Sequence, residues 1–162
     1  MPTEPPHLAF GGIAQLLILF HAIVGLALCG ATTHHVVVAY GYRRGVYRWR
    51  LAQIYAIVTA CCYGATFTLG MLAYPTYRYY VRGLYFDRHL VWASNLFDIK
   101  ENFAALGLPL ALSVLLLSRV FKPAEQPELR TPYLTLVSGV WLLSWFPAIA
   151  GLIITLQRGV PA

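Results

Sequence analysis

Four long apolar segments dominate this chain, and the first of them, within residues 13–50, constrains the fold most. It begins with IAQLLILFHAIVGLALCGA, continues through two threonines and two histidines, and ends in RRGVYRWR, which holds four arginines in eight residues. An apolar run of about 20 residues is long enough to cross a bilayer as a helix. A dense group of arginines after such a run is typical of a cytoplasmic loop. The segment therefore predicts a membrane-spanning helix that ends at the cytoplasmic surface.

The composition extends this interpretation to the whole chain. Of the 162 residues, 59% are hydrophobic and only 11% are charged, whereas a soluble domain carries about 25% charged residues. So few charges cannot cover a surface in contact with water, and most of the surface is expected to face lipid or other subunits. We predict an all-α integral membrane protein, a single transmembrane domain over residues 1–162 with four helices in an antiparallel bundle. Its spans cover about residues 9–31, 51–74, 96–119 and 131–156.

The second span is rich in small and hydroxyl-bearing residues. Gly64 and Thr68 form a small-xxx-small pair, a pattern that lets two helices approach closely in lipid. Pro75 is predicted to end this helix, because the residue before a proline is disfavoured in the helical region.

The connection that follows, residues 76–97, mixes aromatic and basic side chains. Its aromatic residues include Tyr77, Tyr79, Tyr80, Tyr85, Phe86 and Trp92, and its arginines are Arg78, Arg82 and Arg88. Amphipathic aromatic side chains next to arginine favour the headgroup level of a bilayer. We therefore predict an interfacial segment between the second and third helices, with a partner-binding surface as the alternative interpretation.

The distribution of basic residues predicts the orientation in the membrane. The first and third loops carry seven, namely Arg43, Arg44, Arg48, Arg50, Arg119, Lys122 and Arg130, and the other side carries five, namely Arg78, Arg82, Arg88, Lys100 and Arg158. Cytoplasmic loops are enriched in lysine and arginine. We predict a protein of the bacterial inner (cytoplasmic) membrane with both termini outside the cytoplasm. No cleaved signal peptide is expected, because residues 1–8 lack a basic start.

Several function classes are disfavoured by the sequence. The net charge is +6. The basic residues lie between the spans, where they set the orientation and contact lipid headgroups, so no nucleic-acid partner is expected. Cys29, Cys61 and Cys62 fall inside apolar segments without metal-site spacing, which supports neither a disulfide framework nor a zinc site. No nucleophile–base motif or phosphate loop occurs. We therefore expect no catalytic residues and no enzymatic activity of the chain on its own.

The histidines of the first helix are the main candidates for a functional site. An ionisable residue inside a membrane span is costly and commonly marks function, and His21 lies near the centre of the first span. His35 follows fourteen residues later, so both lie on nearly the same face, about 21 Å apart along the helix. This spacing resembles that of membrane cytochromes b, in which one helix holds two stacked haems. The resemblance implies that His21 and His35 ligate haem b iron.

The resemblance covers one helix only, since the other three spans contain no histidine for a second axial ligand. That ligand would come from a second copy of the chain or from a neighbouring subunit. His34 is a further cofactor-binding candidate on a different face, where an interfacial position is favoured. The structural alternative for His21 is a hydrogen bond to the second helix.

Asp98 and Glu101 are candidates for a proton or quinol site. They share one face at the predicted start of the third span. The structural alternative is that both carboxylates stabilise a helix N-terminus and pair with the outer arginines.

These residues lead to three hypotheses. The first is a small membrane subunit of an electron-transfer complex, which binds haem b or quinone through the histidines of the first helix. The second is a non-catalytic structural or assembly subunit of a multi-subunit membrane complex. The third is a proton-coupled carrier. In each case the expected partners are the lipid bilayer and other membrane subunits or a second copy of the chain.

Overall fold

The computed structural model describes residues 7–160 and is helical over that range, with no strand. Its long helices are α1 (Ala14–Gly41), α2 (Trp49–Tyr77), α3 (Val91–Val120) and α4 (Arg130–Gln157). All four are long and apolar enough to cross a membrane. The prediction of an all-helical chain with four candidate spans is thus confirmed. The signal-peptide prediction rests mainly on residues 1–6, which lie outside the described range, as do residues 161–162.

Each long helix packs against two others. Helix α1 packs against α2 and α4, and α3 packs against the same two helices. Several contacts are made by alanines with almost no exposed surface, among them Ala39, Ala56 and Ala111. Such small side chains allow helix axes to come close where lipid supplies no hydrophobic driving force.

The first connection is short and turns as the sequence predicts. Helix α1 ends at Gly41 and is followed by one 3-10 turn, Tyr42–Arg44. Gly45 then adopts a positive φ of 78°, a conformation that glycine reaches without a Cβ penalty. Tyr42 packs its ring about 6.0 Å from the rings of Phe121 and Tyr133, which ties this turn to the connection between α3 and α4.

The prediction that Pro75 ends the second helix is wrong. Helix α2 continues through Pro75 to Tyr77, then as a π-helical segment, Arg78–Phe86, and a single turn, Asp87–His89. Proline removes one backbone N–H from a helix, but prolines are tolerated inside membrane helices. The chain leaves the helical conformation only at Leu90 (φ −140°, ψ 64°). Most of the predicted connection of residues 76–97 is therefore helix.

Helix α3 consequently begins earlier than expected. It starts at Val91, so Asp98 and Glu101 lie in its second and third turns rather than at its N-terminus. The dipole-based explanation for these two carboxylates is therefore wrong, because the helix dipole acts mainly within the first turn.

The predicted close approach at Gly64 is also wrong. No atom lies within 4 Å of a Cβ built on Gly64, and the Thr68 hydroxyl donates to the Gly64 carbonyl of its own helix at 2.8 Å. The close approach occurs instead at Gly107 of α3, where a Cβ would overlap the hydroxyl of Tyr63 from α2.

Tyr63 joins three helices through one hydroxyl group. The hydroxyl lies 3.2 Å from the Ala104 carbonyl of α3 and 3.1 Å from the Leu143 carbonyl of α4. The Leu143 carbonyl would normally accept from the N–H of residue 147, which is proline and has none. Tyr63 therefore supplies the donor that Pro147 lacks.

Candidate functional site

His21 is held by a backbone carbonyl of the neighbouring helix. Its Nδ1 lies 2.8 Å from the carbonyl oxygen of Thr66 in α2. A carbonyl oxygen only accepts hydrogen bonds, so Nδ1 carries the proton. In the neutral imidazole the other nitrogen, Nε2, then keeps its lone pair. Metal-ligating histidines are oriented in this way, with the second nitrogen donating to a carbonyl or carboxylate.

Gly70 makes this contact accessible. It lies four residues after Thr66, one turn further along the same face of α2. A Cβ at Gly70 would lie 3.1 Å from Cε1 and 3.3 Å from Nδ1 of His21. The missing side chain therefore creates the space that the imidazole occupies against α2.

A charged pair lies on α3. Lys100 Nζ lies 2.6 Å from Glu101 Oε1, and the two side chains are 14% and 45% exposed. Glu101, a candidate for the proton or quinol site, is therefore paired with its neighbour in the sequence.

Lys100 is a largely buried charged residue that the sequence analysis did not single out. Its ammonium group lies 4.9 Å from the Phe97 ring centroid, and its side chain passes 3.8 Å from a Cβ built on Gly151 of α4. The sequence assigned Lys100 to the outer basic residues, because the third helix was expected to start at about residue 96. A helix that starts at Val91 instead places this lysine in its third turn.

Asp98 occupies a different environment from Glu101. Its two carboxylate oxygens accept from Nη1 and Nη2 of Arg82 at 2.6 and 2.8 Å. Arg82 Nε also lies 3.8 Å from Asp87, whose carboxylate accepts from the Ser94 hydroxyl. Asp98 therefore holds the π-helical segment against α3, which matches the expected pairing with an outer arginine.

His35 is engaged in a structural contact. It is 1% exposed, and its Nε2 lies 2.9 Å from the hydroxyl of Tyr133 in α4. His34 is exposed and stacks on the Tyr55 ring of α2 at 5.7 Å between centroids. These two histidines contact residues other than those around His21.

The donor set around His21 fits one axial ligand of a haem rather than a complete metal site. Within residues 7–160, no group of three or more histidine, cysteine or acidic residues is placed to hold a metal ion. His21 offers one imidazole nitrogen, which is chemically suited to haem iron.

A second polar contact joins α1 to α4 away from His21. The Thr33 hydroxyl accepts from the indole N–H groups of Trp141 and Trp145, each at 3.0 Å. It donates to the Cys29 carbonyl of its own helix at 2.7 Å. All three of its hydrogen-bonding capacities are thus used, so this contact has a structural role.

Comparison of the chain with protein-family models, curated proteins and solved structures finds no match. The function is therefore argued from the geometry of the His21 region alone.

Proposed function

We propose that this chain is a small membrane subunit of an electron-transfer assembly, in which His21 holds haem b or a quinone. The observation that carries the proposal is the hydrogen bond of His21 Nδ1 to the Thr66 carbonyl at 2.8 Å. It orients the imidazole and leaves Nε2 as the ligating or accepting nitrogen. A haem would supply one-electron chemistry at this position, and a quinone would supply electron transfer coupled to protons.

Lys100 and Glu101 are the polar groups proposed for the quinone version. A quinone carbonyl accepts hydrogen bonds, which the Lys100 ammonium group donates. The carboxylate of Glu101, 45% exposed, would exchange protons with the surroundings. Nε2 of His21 would accept from a quinol hydroxyl.

The haem version requires a partner that completes the iron site. A second copy of the chain or a neighbouring subunit would supply the other axial ligand. His21 is a better candidate ligand of haem iron than His35, because a haem on His35 would have to replace the 2.9 Å contact with Tyr133. His34 stands as a secondary candidate, since it is exposed and stacks on Tyr55.

The proposed architecture is an antiparallel bundle in a lipid bilayer. Contacts between α1 and α2 pair His21 with Thr66 and His34 with Tyr55, so the residue numbers run in opposite directions. Between α1 and α4, Cys29 meets Ser144 and His35 meets Tyr133. The opposite order in each pair supports antiparallel neighbours.

The segment between the second and third long helices is proposed to lie at the headgroup level. Tyr79 and Trp92 expose 37% and 48% of their surface, and Arg78 and Arg88 are exposed beside them. Aromatic and basic side chains in such a mixture anchor a segment at the membrane interface.

The proposed orientation in a bacterial inner membrane places both termini outside and the first and third loops in the cytoplasm. Val46→Cys and Gln126→Cys should therefore react with a membrane-impermeant maleimide in inverted vesicles and stay unlabelled in intact cells. Arg88→Cys, at the opposite end, serves as the control and should show the reverse pattern. Labelling of position 46 or 126 from outside intact cells would show that the orientation is inverted.

The test of the cofactor proposal is an absorption spectrum of the purified protein with its native partners, together with extraction of bound quinone. We expect a reduced-minus-oxidised b-type band or a stoichiometric quinone, either of which His21→Ala removes. His89→Ala, at an exposed histidine outside the four long helices, is the control and should retain the cofactor. His35→Ala should remove a second band only where two haems are present. A wild-type complex without haem or quinone, or an unchanged cofactor in His21→Ala, would reject the proposal.

A structural subunit is the second candidate, and the Thr33 contact favours it. The Thr33 side chain of α1 forms internal hydrogen bonds with α4, as expected of a rigid structural subunit. In that case His21→Ala would lose about 1 kcal/mol of stability for one interhelical hydrogen bond, and no cofactor would be lost.

A further inference from the structure

One end of the molecule gathers most of its basic residues into a single surface. This arginine end consists of Arg43, Arg44, Arg48, Arg50, Arg119, Lys122 and Arg130. The two connections that carry it are in contact, because the Arg130 guanidinium lies 4.8 Å from the Tyr47 ring centroid. Gln53 also donates to the Ser118 carbonyl at 2.8 Å, which fixes the start of α2 beside the end of α3.

Within residues 7–160 few carboxylates offset the positive charge of the arginine end. The acidic residues on these two connections are Glu125 and Glu128, and Glu125 pairs with Lys122 at 3.3 Å. Among residues 7–160, no carboxylate lies within 4.0 Å of any arginine of this end. At the opposite end Arg82 and Lys100 do have carboxylate partners. The arginine end is therefore a net positive surface that attracts anions.

The start of α2 provides an open surface depression for such an anion, called the cavity below. It has a volume of about 300 Å³ and is lined by the contiguous residues Tyr47, Arg48, Trp49, Arg50 and Leu51. Tyr47 and Trp49 expose 37% and 41% of their surface. Two guanidinium groups thus alternate with aromatic side chains around one opening.

We propose that the arginine end binds the phosphodiester headgroups of anionic phospholipids, with its centre at the cavity of residues 47–51. The guanidinium groups of Arg48 and Arg50 match the phosphate oxygens, and the aromatic rings contact the glycerol and upper acyl region. Helix α2 begins at Trp49, so this cavity lies where an apolar helix enters the lipid. The phosphate of a lipid headgroup lies at that depth in the bilayer, whereas a free phosphate stays in the water.

The test measures lipid binding to the detergent-purified protein by native mass spectrometry, with phosphatidylglycerol and phosphatidylcholine as probes. The wild type should prefer phosphatidylglycerol. Arg48→Gln with Arg50→Gln should weaken phosphatidylglycerol binding by at least tenfold, since each basic residue near an anionic surface contributes about fivefold, equivalent to ~1 kcal/mol. Arg158→Gln removes one exposed charge from the opposite end, outside the headgroup-level segment, and should leave binding within about twofold.

Three results would overturn the proposal. The first is a wild type without preference for phosphatidylglycerol. The second is an equal loss per removed charge in Arg158→Gln, which would show that only the net charge of the protein matters. The third is displacement of phosphatidylglycerol by inorganic phosphate at equal concentration, which would indicate a free-anion site. None of these results depends on haem or quinone, so this proposal and the proposed function fail separately.

Discussion

Leucine at Gly107 should disrupt the packing of α2 against α3, whereas leucine at Gly64 should leave it intact. A Cβ at Gly107 would overlap the Tyr63 hydroxyl, while a Cβ at Gly64 meets nothing within 4 Å. Overpacking costs about 1–3 kcal/mol, and loss of the hydrogen bond from the single Tyr63 hydroxyl proton adds about 1 kcal/mol. We expect Gly107→Leu to destabilise the fold by about 3 kcal/mol relative to Gly64→Leu.

The measurement is unfolding of both variants in mixed micelles, followed by tryptophan fluorescence. The two variants are matched, because each replaces a helical glycine with leucine and gains the same helix propensity. Tyr63→Leu in the Gly107→Leu background should recover part of the loss by making room for the new side chain. Equal stability of Gly107→Leu and Gly64→Leu would show that the Tyr63 contact does not hold these helices together.

The positions of the helices were predictable because the apolar runs are long and the first turn carries a strong local signal. Gly45 follows two arginines and takes the positive φ that glycine favours. The helix through Pro75 was not predictable from local propensity, because its continuation depends on tertiary contacts. Arg82 in the π-helical segment binds Asp98 of α3, and the sequence does not reveal that these residues meet.

The candidate site was predictable only in part. His21 stood out because an imidazole in the middle of an apolar run is costly. Its partner is a main-chain carbonyl, that of Thr66, and every residue of α2 carries such a group. The identity of the partner depends on the register of α1 against α2 and on the space left by Gly70. Side-chain types alone do not specify that register.

The same reason explains why other interhelical contacts were missed. The Tyr63 hydroxyl shares its one proton between the carbonyls of Ala104 and Leu143, and Gln53 donates to the carbonyl of Ser118. Main-chain acceptors are abundant and chemically alike, so a search for complementary side chains cannot find them. The contact of Tyr63 with the Leu143 carbonyl does have a signal in the sequence, which is Pro147. A proline inside a helix leaves the carbonyl four residues earlier without its N–H donor.

Asp98→Asn should release the π-helical segment from α3. Arg82 donates to both oxygens of Asp98 at 2.6 and 2.8 Å, and the side chains are 24% and 48% exposed. Hydrogen bonds between charged groups contribute about 1.5–3 kcal/mol each when well placed, and partial exposure reduces this value. We expect a loss of about 2 kcal/mol, concentrated in residues 78–86 rather than spread over the four long helices.

Hydrogen exchange of the backbone amides in Arg78–Phe86 measures this release directly, because local opening has its own free energy. A loss of about 2 kcal/mol corresponds to roughly 30-fold faster exchange there. Glu125→Gln is the matched control, since it neutralises one carboxylate in the Lys122 pair, where both side chains are 66% exposed. An exposed pair contributes at most about 1 kcal/mol. In Glu125→Gln the amides of Arg78–Phe86 should therefore exchange almost as fast as in the wild type. Similar exchange in both variants would mean that the Arg82–Asp98 pair does not hold the segment, and that the aromatic contacts of Tyr77 with Phe97 do so instead.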